Sequence, residues 1–146
     1  MLVAFPEVAD VGVIPLVAVR YPGPGGPGGW LDWPTRLADT TSTVAGVANT
    51  LGARRMIVAG DLHTPRTFRG LSDALHRVGL LSMPAPPNWP ATVARGGLPG
   101  LALHPLDQVW AVASWVSAGS STIDARGQAR APILVDLAPN RGVAGG

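Results

Sequence analysis

The sequence predicts an α/β domain, and three observations carry that prediction. Four apolar residues in a row, Met56 to Ala59, have the pattern of a strand buried on both faces, and Gly60 ends it. The stretch 32–51 before it places Trp33, Leu37, Val44, Val47, Ala48 and Leu51 on one helical face, at spacings of three, four and seven. Further upstream, 13–19 is apolar apart from Pro15 and reads as a second strand. Strand, helix, strand is the order of a crossover between strands that share one sheet.

The remaining elements follow in order. Met1 to Phe5 is a short apolar run stopped by Pro6, the pattern of an edge strand. The strand at 13–19 ends at Arg20-Tyr21. The Pro/Gly run 22–29 predicts a surface loop, and its prolines remove the amide donors that a phosphate-cradling loop needs. Asp32 is placed to cap the first helix, Pro34 is tolerated in its first turn, and Gly52 is a stop. Thr64-Pro65 is a turn. Thr67 caps a second helix with Phe68, Leu71, Leu75 and Val78 as its apolar face, stopped by Gly79. Residues 82–100 read as an irregular loop around Asn88-Trp89-Pro90, and Leu106 to Val112 as a strand. Trp115-Val116 reads as a short strand, 117–130 as polar loop, and Ile133 to Leu137 as the final strand. The domain is therefore 1–138, with 139–146 a flexible tail expected to fray.

Composition limits what this domain does. Its 146 residues suit one domain, and 47% hydrophobic with 14% charged residues supports a core and excludes disorder for most of the chain. All eleven basic residues are Arg, and with Gly 19 and Pro 15 this suggests a GC-rich coding bias more than a task. A net charge of +2 is too small and scattered to argue nucleic-acid binding by itself. The absence of cysteine excludes disulfides, Cys-ligated zinc and thiol catalysis. Glu7 and Asp10 interrupt the start, so no signal peptide is visible and the default expectation is cytoplasmic. The apolar runs fall far below the ~20 residues of a spanning helix, although a longer parent protein could carry one.

Asp61 sits where the central strand leaves the sheet. A carboxylate there either does chemistry or caps the following turn. His63, His76 and His104 follow no metal-motif spacing and read as three separate surface or turn residues. Ser120-Ser121 lacks the context of a nucleophile elbow. Arg66, Arg69 and Arg77 read as solvated helix charges, near enough to the Asp61 loop to draw a phosphate. Trp30 and Trp33 read as packing residues.

Several short motifs have a familiar order. Val58-Ala59-Gly60-Asp61-Leu62-His63 resembles the Gly-Asp-(Phe/Leu)-Asn signature of the endonuclease/exonuclease/phosphatase superfamily, metal-dependent phosphoesterases related to pancreatic-type deoxyribonuclease. Asn88-Trp89-Pro90 resembles its Thr-Trp-Pro segment, and Leu106-Asp107-Gln108-Val109 its Ile-Asp-His-Val strand. Residues 128–137 resemble its Ser-Asp-His-x-Pro turn and last strand. The match covers roughly residues 13–138.

The resemblance implies the C-terminal half of a four-layer α/β sandwich: a mixed sheet of about five strands with two main helices on one face. It implies water attacking a phosphate ester or nucleic acid, with Mg²⁺ or Mn²⁺ offsetting charge. Asp61 takes the place of the Asp that orients or deprotonates the water. His63 takes that of an Asn that hydrogen-bonds the phosphate, and Asp107 that of the Asp orienting a final His. The terminal Asp-His pair aligns with Ala129 and Arg130. Ala129 can neither bind a metal nor accept a proton; Arg130 cannot act as a base at neutral pH but can pair with Asp107 or a phosphate oxygen. The family's metal-binding Glu lies well upstream, and Glu7, the only Glu here, is too close to Asp61 to match it. The implied site is Asp61, His63, Asp107 and Arg130, with the metal ligands unknown.

Three functions follow as expectations: a degenerate or truncated member with little or no activity alone, an active phosphoesterase using Asp61, His63 and Asp107, or a non-catalytic interaction domain. The facing sheet implied by the family has no counterpart in this chain. At ~25 cal/mol/Å², several hundred Å² of exposed apolar sheet forfeits on the order of ten kcal/mol. A homodimer or a partner protein is therefore expected to cover that face.

Overall fold

The computed structural model describes residues 1–21, 29–51, 54–62, 69–83, 107–122 and 133–142. Its elements are β1 (Leu2–Ala4), β2 (Glu7–Val8), β3 (Gly12–Val13), β4 (Leu16–Arg20), α1 (Gly29–Leu51), β5 (Ile57–Asp61), α2 (Arg69–Arg77), β6 (Leu80–Ser82), β7 (Asp107–Val112), β8 (Trp115–Thr122) and β9 (Ile133–Pro139). Five strands form one mixed sheet in the order β1-β4-β5-β7-β6. β4 and β5 pair in parallel across the α1 crossover, and the other three pairings are antiparallel. β2-β3 and β8-β9 are separate two-stranded ladders. The α/β architecture, the mixed five-stranded sheet and its two helices match the sequence expectation.

Strand alternation gives the sheet two unlike faces. One carries Val17, Val19, Met56, Val58, Trp110 and Val112, all buried. Leu37, Val44 and Ala48 of α1 and Leu71 and Leu75 of α2 belong to the same cluster and seal this face. The other face carries Leu16 and Ala18, Ile57 and Ala59, Val109 and Ala111 in register across β4, β5 and β7. Leu2 of β1 and Leu81 of β6 extend it outward and are 66% and 44% exposed. Ala111 is fully buried, whereas Ile57, Ala59 and Val109 are half-buried. The central strand is thus sealed on one face only, not on both.

α1 starts at Gly29, so Asp32 lies in the first turn instead of capping it, and Pro34 falls inside the helix. One ladder bond is lost there, just past the first turn where a missing N–H would cost nothing. The Thr-rich middle is a poor helix former by propensity. Its hydroxyls are satisfied within the helix by donating to carbonyls one turn back: Thr40 to Arg36 O at 2.9 Å, Thr41 to Leu37 O at 2.7 Å and Thr43 to Asp39 O at 2.9 Å. Leu71 and Leu75 face the core from α2, and Gly79, at φ +79, stops it as expected. Gly52, Thr67, Phe68 and residues 84–100 of the expected loop lie outside the described residues, while Ser82 belongs to β6.

Four expectations need correction. Gly60 does not end the central strand, because Gly60 and Asp61 still pair with β4 and β7. The run 13–19 is broken at Pro15: Val13 pairs in β3, and the sheet strand begins at Leu16. Residues 117–122 belong to an eight-residue strand, not to a loop. Small polar residues have little strand propensity, but the apolar ladder of β9 pairs with them across the hairpin, with a bulge between Ser117 and Gly119. β6 went unseen because three residues give no period to read. Beyond β9, Asn140 is held: its amide donates to Ser114 O at 2.7 Å and its side chain to Ala113 O at 3.0 Å.

Gly60 holds φ +150 where β5 meets β4, and a Cβ there would lie 1.8 Å from Val19 O. No rotamer relieves a clash with backbone. Gly60→Ala is expected to lower stability by about 3 kcal/mol or more, measured by urea denaturation; a loss below about 1 kcal/mol would show that β4 and β5 can separate freely there.

Tyr21 follows β4, is 1% exposed, and its hydroxyl has no hydrogen-bond partner. Thr41 lies beside it, but the contact falls short of a full hydrogen bond, and the Thr41 proton goes to Leu37 O. Burial pushes the phenol above its ordinary 10.0, and the Thr41 hydroxyl opposes this more weakly. The folded chain therefore holds this proton more tightly than the unfolded chain. That contribution is complete below pH 10.0 and is lost as pH rises through the folded-state value. Tyr21→Phe is expected to flatten this alkaline limb and to change stability at pH 7 by less than about 1 kcal/mol. Thermal melts from pH 7 to 11 read both, and Tyr21 is the only Tyr in a chain without Lys or Cys.

Candidate functional site

The polar end of the partly covered face gathers three charged residues. The register pairs Arg20 with Asp61 and Asp61 with Asp107, on three adjacent strands. They continue the alternation of Leu16 and Ala18, Ile57 and Ala59, and Val109 and Ala111, so all three sit on the same face. Asp61 and Asp107 are half-buried and Arg20 is exposed. The backbone confirms the alignment: Tyr21 N donates to Asp61 O at 2.8 Å, one step beyond the ladder.

Sequence reasoning chose Asp61 and Asp107, and the fold sets them directly opposite each other. It passed over Arg20, noting only that a strand ended there. The missed signal was that a parallel crossover aligns the ends of its two strands. His63 and Arg130 lie outside the described residues. His76 is not isolated: its ring lies 5.6 Å from Trp110, tilted by 59°. Among the described residues, no three His, Cys, Asp or Glu side chains gather around one point. No helix of the described residues is long and apolar enough to cross a membrane.

Behind this row, on the sealed face, Gln108 stands where β7 passes Gly60. It is 1% exposed, and Trp110 Nε1 donates to its Oε1 at 3.0 Å. The bond ties Gln108 to Trp110 two residues further along β7, next to the strand end that carries Asp107.

No family model matches the chain, and no curated protein matches it. Solved structures do. An endonuclease/exonuclease/phosphatase from Beutenbergia cavernae is 15% identical, superposes with a TM-score of 0.70, and matches 94% of this chain to 38% of its own. A mannosyl-6-phosphatase from Bacteroides thetaiotaomicron is 12% identical with a TM-score of 0.58, over 90% of this chain and 54% of its own. The human nocturnin catalytic domain, solved with a sulfate anion, is 15% identical with a TM-score of 0.52, over 92% and 50%. The chain therefore has the fold of endonuclease/exonuclease/phosphatase structures, and it spans about half or less of their length.

Gln108→Leu keeps the volume but leaves the buried Trp110 N–H without an acceptor. It is expected to cost about 1–3 kcal/mol, read from tryptophan emission during urea unfolding.

Proposed function

We propose that this chain is a partial, degenerate phosphoesterase of the endonuclease/exonuclease/phosphatase type, with little or no turnover alone. The observation that carries the reading is the row of Arg20, Asp61 and Asp107 at one end of the exposed sheet face. A guanidinium that stays charged at any working pH suits the oxygens of a phosphate ester. Beside it, Asp61 can accept a proton from a water aimed at phosphorus. By the resemblance, His63 would supply one hydrogen bond to a phosphate and Arg130 a second positive charge. Ala129 leaves the place of a carboxylate empty of donors, and that loss weighs against turnover.

The donor set fits a hard divalent cation. Carboxylates directly opposite each other on neighbouring strands repel, and Mg²⁺ is commonly held by one or two carboxylates with substrate phosphate oxygens completing its shell. Asp61 and Asp107 would hold Mg²⁺ or Mn²⁺, which would offset charge on the phosphate.

A second reading, a non-catalytic interaction domain, is favoured by the exposed Leu2 and Leu81 and by the β8-β9 ladder. The ladder packs on the core through Trp115, Val135 and Leu137, yet it buries the Ser117 and Ser120 hydroxyls without partners. A second copy or another protein would cover this surface. A monomer with one cooperative unfolding transition would count against it.

Hydrolysis of a generic phosphodiester and a phosphomonoester, with and without Mg²⁺ or Mn²⁺, tests the main reading beside Asp61→Asn. The expected result is turnover no higher than in Asp61→Asn. Metal-dependent turnover that falls about 100-fold or more in Asp61→Asn would instead establish a working enzyme.

A further inference from the structure

A groove of about 450 Å³ runs between α1 and α2, on the helix layer and away from the Arg20 row. Its size lies within the roughly 300–1,000 Å³ of small-molecule sites. Its walls are smooth because Ala38 and Ala45 on α1 face Gly70 and Ala74 on α2. The lining runs from Pro34 to Ala45, about 16 Å of helix, so the space is long and narrow. Arg77 is the one ionisable residue among its described lining residues. It makes no ion pair with any described residue, Asp73 one turn earlier included.

We propose that this groove binds a single-chain amphiphile with an anionic head, of the medium-chain carboxylate class. The alkyl chain lies along the small-residue walls, where removing apolar surface from water is favourable. The head meets Arg77, whose exposure makes its attraction modest and salt-sensitive. The length of the groove favours an extended chain over a compact ring, and the absence of an acid among the described lining residues favours an anion over a cation. This site stands independently of the phosphoesterase reading.

Calorimetric titration of the whole chain with decanoate, below its self-association concentration, tests the proposal beside decanol and decyltrimethylammonium. The expected result is one saturable site that prefers decanoate. Arg77→Gln should weaken decanoate about fivefold at low ionic strength and leave decanol unchanged. Ala38→Leu, at an exposed position, should fill the groove and weaken both ligands about tenfold or more. Binding that does not saturate, or equal affinity for all three heads, would overturn the proposal. So would a decanoate affinity that neither variant moves.

Discussion

β4 and β5 approach so closely at Val19 that position 60 has no room for a side chain. That single constraint places most of what matters here. It keeps the parallel ladder in register through Arg20 and Asp61, and it lets Tyr21 bond one step beyond it. β7 then brings Asp107 against Asp61 from the opposite side. The glycine of the Gly-Asp pair is thus a packing requirement, and the aspartate gains its place from it.

The two faces of the sheet divide the molecule. The helix-covered face holds the stability, with Val17, Met56, Val58 and Trp110 all at 0–1% exposure. The other face is apolar along its middle and charged at its end, with Leu2 and Leu81 still facing water. A charged row bordered by exposed apolar residues lies in a chain that spans about half or less of the length of the structures it resembles.

What could be read beforehand depended on pattern length. α1 and β5 have long, regular apolar patterns, and α2 has a strongly one-sided one, so all three were legible. β6 and the β2-β3 hairpin are two or three residues per strand and carry no period. β8 was hidden by its composition, since Ser, Gly and Ala become a strand only when β9 supplies the pairing. Of the candidate row, Asp61 and Asp107 were legible through short motifs, and Arg20 was not.

The sequence by itself determined the α/β class and the crossover around α1. Local periodicity and residue chemistry suffice for these, because each depends on neighbours along the chain. Tertiary structure alone decided that Arg20, Asp61 and Asp107 share one row, that Gly60 cannot carry a Cβ, and that α1 and α2 leave a groove. Those facts depend on register and on the distance between elements, and residues 40 or more positions apart meet only when strands pair.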